Sequence, residues 1–152
     1  MKAGIEVVVL PVLDPDRSLR FYRDQVGFGL DVDYAPSTDF RVVQLTPDGS
    51  STSIQFGVGL TDAPFGSMRN LYLVVDDIQA ATTELEMRGV PVTRMRHKDA
   101  RDEWRGTWLP GMDPMRADYA SFADFADPDG NTWILQERGF SSRAQRSSKG
   151  SQ

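Results

Sequence analysis

The sequence predicts an α+β fold made of two βαβββ modules. Three observations carry that expectation. An apolar strand, an aspartate-started helix, a glycine and a new strand occur twice, in "VVLPVLDPDRSLRFYRDQVGFGLDV" and again in "LYLVVDDIQAATTELEMRGVPVTR". Further strand-like runs follow each copy. A Pro-Asp-Gly turn, Pro47–Gly49 and then Pro128–Gly130, precedes the last strand of each set.

In the first copy Asp14 is a suitable N-cap, and Pro15 suits the first helical position, where no backbone N–H is needed. Leu19, Tyr22 and Val26 then share one stripe, and Gly27 stops the helix, which is expected over residues 15–26. "LDVDYA", "DFRVVQLT" and "TSIQFG" follow as strands. In the second copy Asp76 or Asp77 caps, Ile78, Ala81 and Leu85 repeat the stripe, and Gly89 stops a helix expected over 77–88. "VPVTRMR", a long insertion, "DYASFADFA" and "NTWILQE" complete it. Asp14 corresponds to Asp77 and Gly27 to Gly89, with one residue deleted between them, so duplication explains the pattern. In the final strand, alternation puts Thr132, Ile134 and Gln136 on one face and Trp133, Leu135 and Glu137 on the other.

At 152 residues with 39% hydrophobic and 10% aromatic residues, the chain has enough apolar surface for a core. One domain over residues 1–140 is expected, with modules at about 5–60 and 68–138. Residues 141–152, Ser-rich and without an acid, are expected to be a disordered basic tail. No apolar run approaches the roughly 18 residues of a membrane span, and the first residues lack a signal-peptide pattern, so a cytoplasmic protein is expected. With no cysteine, disulfides, thiolate nucleophiles and sulfur-ligated metals are excluded. A single histidine, His97, excludes a multi-histidine metal site within one chain, and its charged surroundings predict a solvated loop residue. The net charge of −5 includes four cations in residues 138–152, so the body is more acidic still and a poor partner for nucleic acid.

The segments "LPVLDPDRSLRFYRDQVGFGLDVDY", "LYLVVDDIQAATTELEMRGV" and "FADPDGNTWILQE" resemble the vicinal oxygen chelate superfamily over residues 5–138. That group includes glyoxalases, extradiol dioxygenases, fosfomycin-resistance enzymes and bleomycin-type resistance proteins. The resemblance implies the glyoxalase/bleomycin resistance/dihydroxybiphenyl dioxygenase-like fold, with paired modules forming a cup-shaped mixed sheet, and a homodimer. It also implies, for the enzymes, a metal held by His, Glu or Gln on the first and fourth strands of each module. The matching positions here are Val7, at or near Gln55, Asn70 and Ile134. Valine and isoleucine donate no electron pair and the amides are weak neutral ligands, so no metal or other cofactor is expected. A slipped register would substitute Gln136, still an amide, and Glu137 would face the other way unless a bulge intervened.

The cup implied by the resemblance would be lined by Gln55, Asn70, Tyr72, Ile134 and Gln136. Trp104 and Trp108, in an insertion that also holds Leu109, Met112 and Met115, would either cover it as a lid or anchor the insertion to its own domain or to a partner chain. Aromatic faces suit a planar or apolar small molecule, and the acidic body would attract a cationic one. Asp31 and Asp33 are expected to face water. No Ser–His pair, GxGxxG or Walker loop is present. Three functions are weighed: a metal-independent small-molecule binding protein (for a drug or aromatic metabolite), a lyase, isomerase or dioxygenase with an absent or non-standard metal site, and a structural or regulatory module that presents the cup to another protein.

Overall fold

The two aspartates start their helices as their chemistry dictates. Asp14 Oδ1 accepts from the Asp16 and Arg17 N–H groups, and Asp77 Oδ1 accepts from Ala80 N–H. In the computed structural model, which describes residues 1–103 and 105–150, these caps open α1 (Pro15–Arg20) and α2 (Ile78–Met87). Helix α1 runs on into a π-helical turn, Phe21–Val26, closed by Gly27 N–H to the Tyr22 carbonyl at 2.9 Å. Gly27 and Gly89 take positive φ, 94° and 82°, as the end of each helix requires.

The strands are β1 (Val7–Val9), β2 (Gly29–Ser37), β3 (Phe40–Thr46), β4 (Ser53–Val58), β5 (Leu71–Val75), β6 (Arg96–Lys98), β7 (Trp108–Pro110), β8 (Ser121–Ala126) and β9 (Thr132–Glu137). They form two mixed sheets, in the orders β1-β4-β3-β2 and β5-β9-β8-β6-β7. In each sheet the strand before the helix pairs in parallel with the last strand of its module. The orders match, apart from β7, which the insertion adds at an edge. No helix among the described residues is long and apolar enough to cross a membrane.

The chain divides into two compact units, Met1–Arg69 with Ala126–Thr132, and Asn70–Phe125 with Trp133–Gln152. The boundary falls inside the last turn and strand, so the Asp-Pro-Asp-Gly-Asn turn belongs to the first unit. There Tyr22, Phe28, Val43, Leu45, Ile54 and Phe56 form the core, with Tyr22 stacked on Phe28. The turn is held against the β1–α1 connection by side chains. Asp127 accepts from the Tyr22 hydroxyl (2.9 Å) and from Asn131 Nδ2 (2.7 Å). Asn131, fully buried, also donates to the Pro11 carbonyl and accepts from Met68 N–H. Asp129 accepts from Leu13 N–H and from Arg17. Gly66, at φ 71°, lies so close that an added Cβ would stand 1.9 Å from the Asp129 carbonyl oxygen.

In the second unit Ile78, Leu85 and Thr82 of α2 are buried in a core with Trp133, Leu135 and Phe125, the Phe125 and Trp133 rings being parallel at 6.0 Å. Glu137, fully buried on that same strand face, caps α2 by accepting from Ile78 N–H at 2.8 Å. Two expectations are corrected. His97 is not a solvated loop residue: it lies in β6, 9% exposed, with Nδ1 donating to the Gly111 carbonyl. The segment expected to be a disordered tail forms α3 (Phe140–Lys149) across residues 140–149, exposed beyond Phe140. That helix is anchored at its start, where the Arg116 guanidinium lies 3.4 Å from the Phe140 ring centroid and Gly139 N–H donates to Asp118.

Two carboxylates link this architecture to acid. Asp33 is held below its ordinary range by paired hydrogen bonds from the Arg41 guanidinium. Burial pushes Asp77 up, but its bonds from Ala80 N–H and Arg116 outweigh that and leave it lowered. A depressed native value means the unfolded chain binds protons first as pH falls. The stabilisation is therefore whole above the unfolded value of about 4 and is lost below it. Urea midpoints are expected to fall as pH drops below about 4, less steeply in Asp77→Asn; identical slopes would refute a role for Asp77.

Candidate functional site

Alternation and register decide which side chains each sheet leaves uncovered by its helix. In the first unit, Val9 opposes Gln55, Gln55 opposes Gln44, and Gln44 opposes Val32, so these share the open face. Gln55 Nε2 donates to Gln44 Oε1 at 2.8 Å. Val32 and Tyr34 of β2 are 41% and 58% exposed. Asp31 accepts from Thr46 and Asp33 from Arg41, which gives both acids surface roles.

In the second unit Tyr72 opposes Ile134 and Val74 opposes Gln136. Arg96 opposes both Phe122 and Pro110, and Lys98 opposes Trp108. The face opposite α2 therefore presents Tyr72, Ile134, Gln136, Phe122 and Trp108, with Arg96 and Lys98 among them. Tyr72 and Trp108 are 57% and 43% exposed, whereas Phe122 is buried beneath its neighbours. Trp108 meets Phe122 edge to face at 5.1 Å. The Arg96 guanidinium lies 4.6 Å from the Trp108 ring centroid and makes a paired ion bridge to Asp124.

Four of the expected lining residues, Tyr72, Trp108, Ile134 and Gln136, thus share one sheet face. Asn70 belongs to the same unit but precedes β5, exposed and at φ 60°. Gln55 lies on the sheet of the first unit, and Trp104 lies outside the described residues. Trp108 is part of an edge strand, packed on Phe122, rather than of a loose loop. Sequence reasoning missed Arg96, Lys98 and Phe122. For Arg96 and Lys98 the signal was available, since "RMRHK" places its cations at the two-residue strand period.

The residues at the positions matched to metal ligands do not fit a divalent cation. Val7 and Ile134 have no donor atom, Gln55 already bonds Gln44, and Asn70 is a neutral amide. Glu137, the carboxylate a register slip would supply, faces α2 and is bound by Arg116 and Ile78 N–H. Among the described residues no group of three His, Cys, Asp or Glu side chains is placed to hold a metal.

Two units, each with one sheet face packed on a helix and the other left open, define a paired βαβββ protein. The model of the Glyoxalase/Bleomycin resistance protein/Dioxygenase superfamily matches residues 4–135, and the chain belongs to that superfamily. Among solved structures it is similar to TnmS3, an antibiotic binding protein from Streptomyces sp. CB03234. The identity is 30%, with 90% of this chain and 96% of that chain covered, and a TM-score of 0.67. A glyoxalase/bleomycin resistance protein from the same organism is 31% identical over 88% of this chain and 99% of that one, with a TM-score of 0.65. A superfamily member from Sphaerobacter thermophilus DSM 20745 is 25% identical over 90% and 98%, with a TM-score of 0.66. The comparison with curated proteins returns no match.

Proposed function

We propose that this protein binds a planar aromatic small molecule, a drug or an aromatic metabolite, without a metal, as a cytoplasmic homodimer. The observation that carries the reading is the open face of the second sheet. Exposed Tyr72 and Trp108 flank buried Phe122 and Ile134 there, with the Gln136 amide at their edge. Flat aromatic walls with few polar groups suit a planar ligand, and sequestration needs no catalytic group. Similarity to an antibiotic binding protein supports the same reading. A second copy would cover the exposed strand β2, where Leu30, Val32 and Tyr34 stand open. A purely monomeric species in sedimentation would overturn that part.

A planar aromatic compound is expected to quench tryptophan fluorescence, and Trp108→Ala to weaken its binding about tenfold, since a buried aromatic contact contributes on the order of 1–1.5 kcal/mol. Trp104→Phe serves as the companion variant. Zinc, nickel, manganese or iron should change affinity or stability less than about tenfold. Stoichiometric metal in the purified protein, with activity abolished by a chelator, would overturn the reading in favour of an enzyme.

A further inference from the structure

The open face of the second sheet has an electrostatic direction that its aromatic lining alone does not reveal. Arg96 and Asp124 neutralise one another through two hydrogen bonds of 2.8 and 3.1 Å. Lys98 differs. Its ammonium leans over this face, 5.4 Å from the Phe122 ring centroid, and among the described residues it forms no ion pair. Tyr119 N–H bonds the Glu137 carbonyl, and Lys98 N–H bonds the Ala120 carbonyl. That register sets Ala120 between Lys98 and Gln136, with Trp108 beyond Lys98. One row across the strands therefore carries Trp108, Lys98, Ala120 and Gln136, in that order.

The Gln136 amide donates at the outer limit of a hydrogen bond, 3.5 Å to the Tyr119 carbonyl. Arg138, just beyond it, bonds the Tyr119 hydroxyl rather than a carboxylate. This end of the face thus holds an unneutralised ammonium and an available amide donor beside an indole. The overall charge of −5 argues for a cationic ligand only at long range, and salt screens that field within about 8 Å. At contact distance the charge lying over the aromatic face is Lys98.

We propose that Lys98 is a specificity-determining residue: it receives an anionic oxygen, a carboxylate or ionised phenol, on a planar aromatic ligand whose ring lies against Trp108, with the Gln136 amide as second donor. This rests on the small-molecule-binding reading above and adds the charge of the ligand to it. The ammonium–oxyanion bond is charge-assisted, and it forms at a partly covered site where water competes less.

Equilibrium dialysis of the full chain with three probes of one ring system tests it: 2-naphthoate, 2-naphthamide and 2-naphthylmethylammonium. The wild type should bind naphthoate about tenfold more tightly than the amide, and the ammonium compound most weakly. Lys98→Met should bring naphthoate within about twofold of the amide, and Lys98→Arg should keep the preference. Equal binding of the three probes, or a naphthoate preference that survives Lys98→Met, would overturn the role of Lys98 and leave the binding reading standing. Failure of all three to bind would overturn both. Circular dichroism of each variant confirms that the fold is kept; loss of amide binding together with the fold in Lys98→Met would show a structural residue and also overturn the proposal.

Discussion

Replacing Asn131 by alanine is expected to lower the unfolding free energy by about 3–5 kcal/mol, a large part of a typical domain's stability. The side chain is fully buried, and its three hydrogen bonds satisfy the Pro11 carbonyl, the Met68 N–H and the Asp127 carboxylate. Alanine would leave two backbone groups and part of a carboxylate buried and unpaired, at roughly 1–3 kcal/mol each before relaxation. Tyr22→Phe, which removes one donor from Asp127, should cost less, about 1–2 kcal/mol. Urea unfolding measures both. A loss under about 1 kcal/mol for Asn131→Ala would show that water replaces the network. The family's Asp-Pro-Asp-Gly-Asn turn therefore acts here as a structural clamp of the first unit.

Arg116→Met should be comparably damaging in the second unit. Arg116 Nε donates to Glu137 Oε1 at 2.8 Å, its Nη2 donates to Glu137 Oε2 and Asp77 Oδ1, and its plane covers Phe140. Glu137 is fully buried, so removing the guanidinium leaves its carboxylate with the Ile78 backbone N–H as donor. Breaking such a pair typically costs about 3–5 kcal/mol. The double variant Arg116→Met/Glu137→Met should cost clearly less than the sum of the single variants, because no unpaired charge remains. Strict additivity in chemical unfolding would refute the coupling.

The repeat was legible because helix caps and stops are local. Asp14 and Asp77 sit beside the N–H groups they satisfy, and Gly27 and Gly89 supply positive φ where the chain must turn. The alternation of the last strand was legible too, since a two-residue period needs no partner to be read. The π-helical turn after Arg20 was not, because its i→i−5 bonding depends on how Tyr22 is buried with Phe28 and Phe56. His97 and Trp108 lie in a stretch whose charge pattern reads as loop, and cross-strand pairing made strands of it.

By itself, then, the sequence determined the paired βαβββ order, both helix starts, the superfamily, and the chemical poverty of the positions matched to metal ligands. Those are consequences of short-range spacing and residue type. Only the tertiary structure decided that Glu137 serves Arg116 and α2, that the Asp-Pro-Asp-Gly-Asn turn binds into the first unit, and that Lys98 stands unpaired over Phe122. Each of these depends on which distant side chain supplies or withholds a partner for a buried charge or amide. That partner comes from a strand or helix tens of residues away, and register, not local sequence, brings it there.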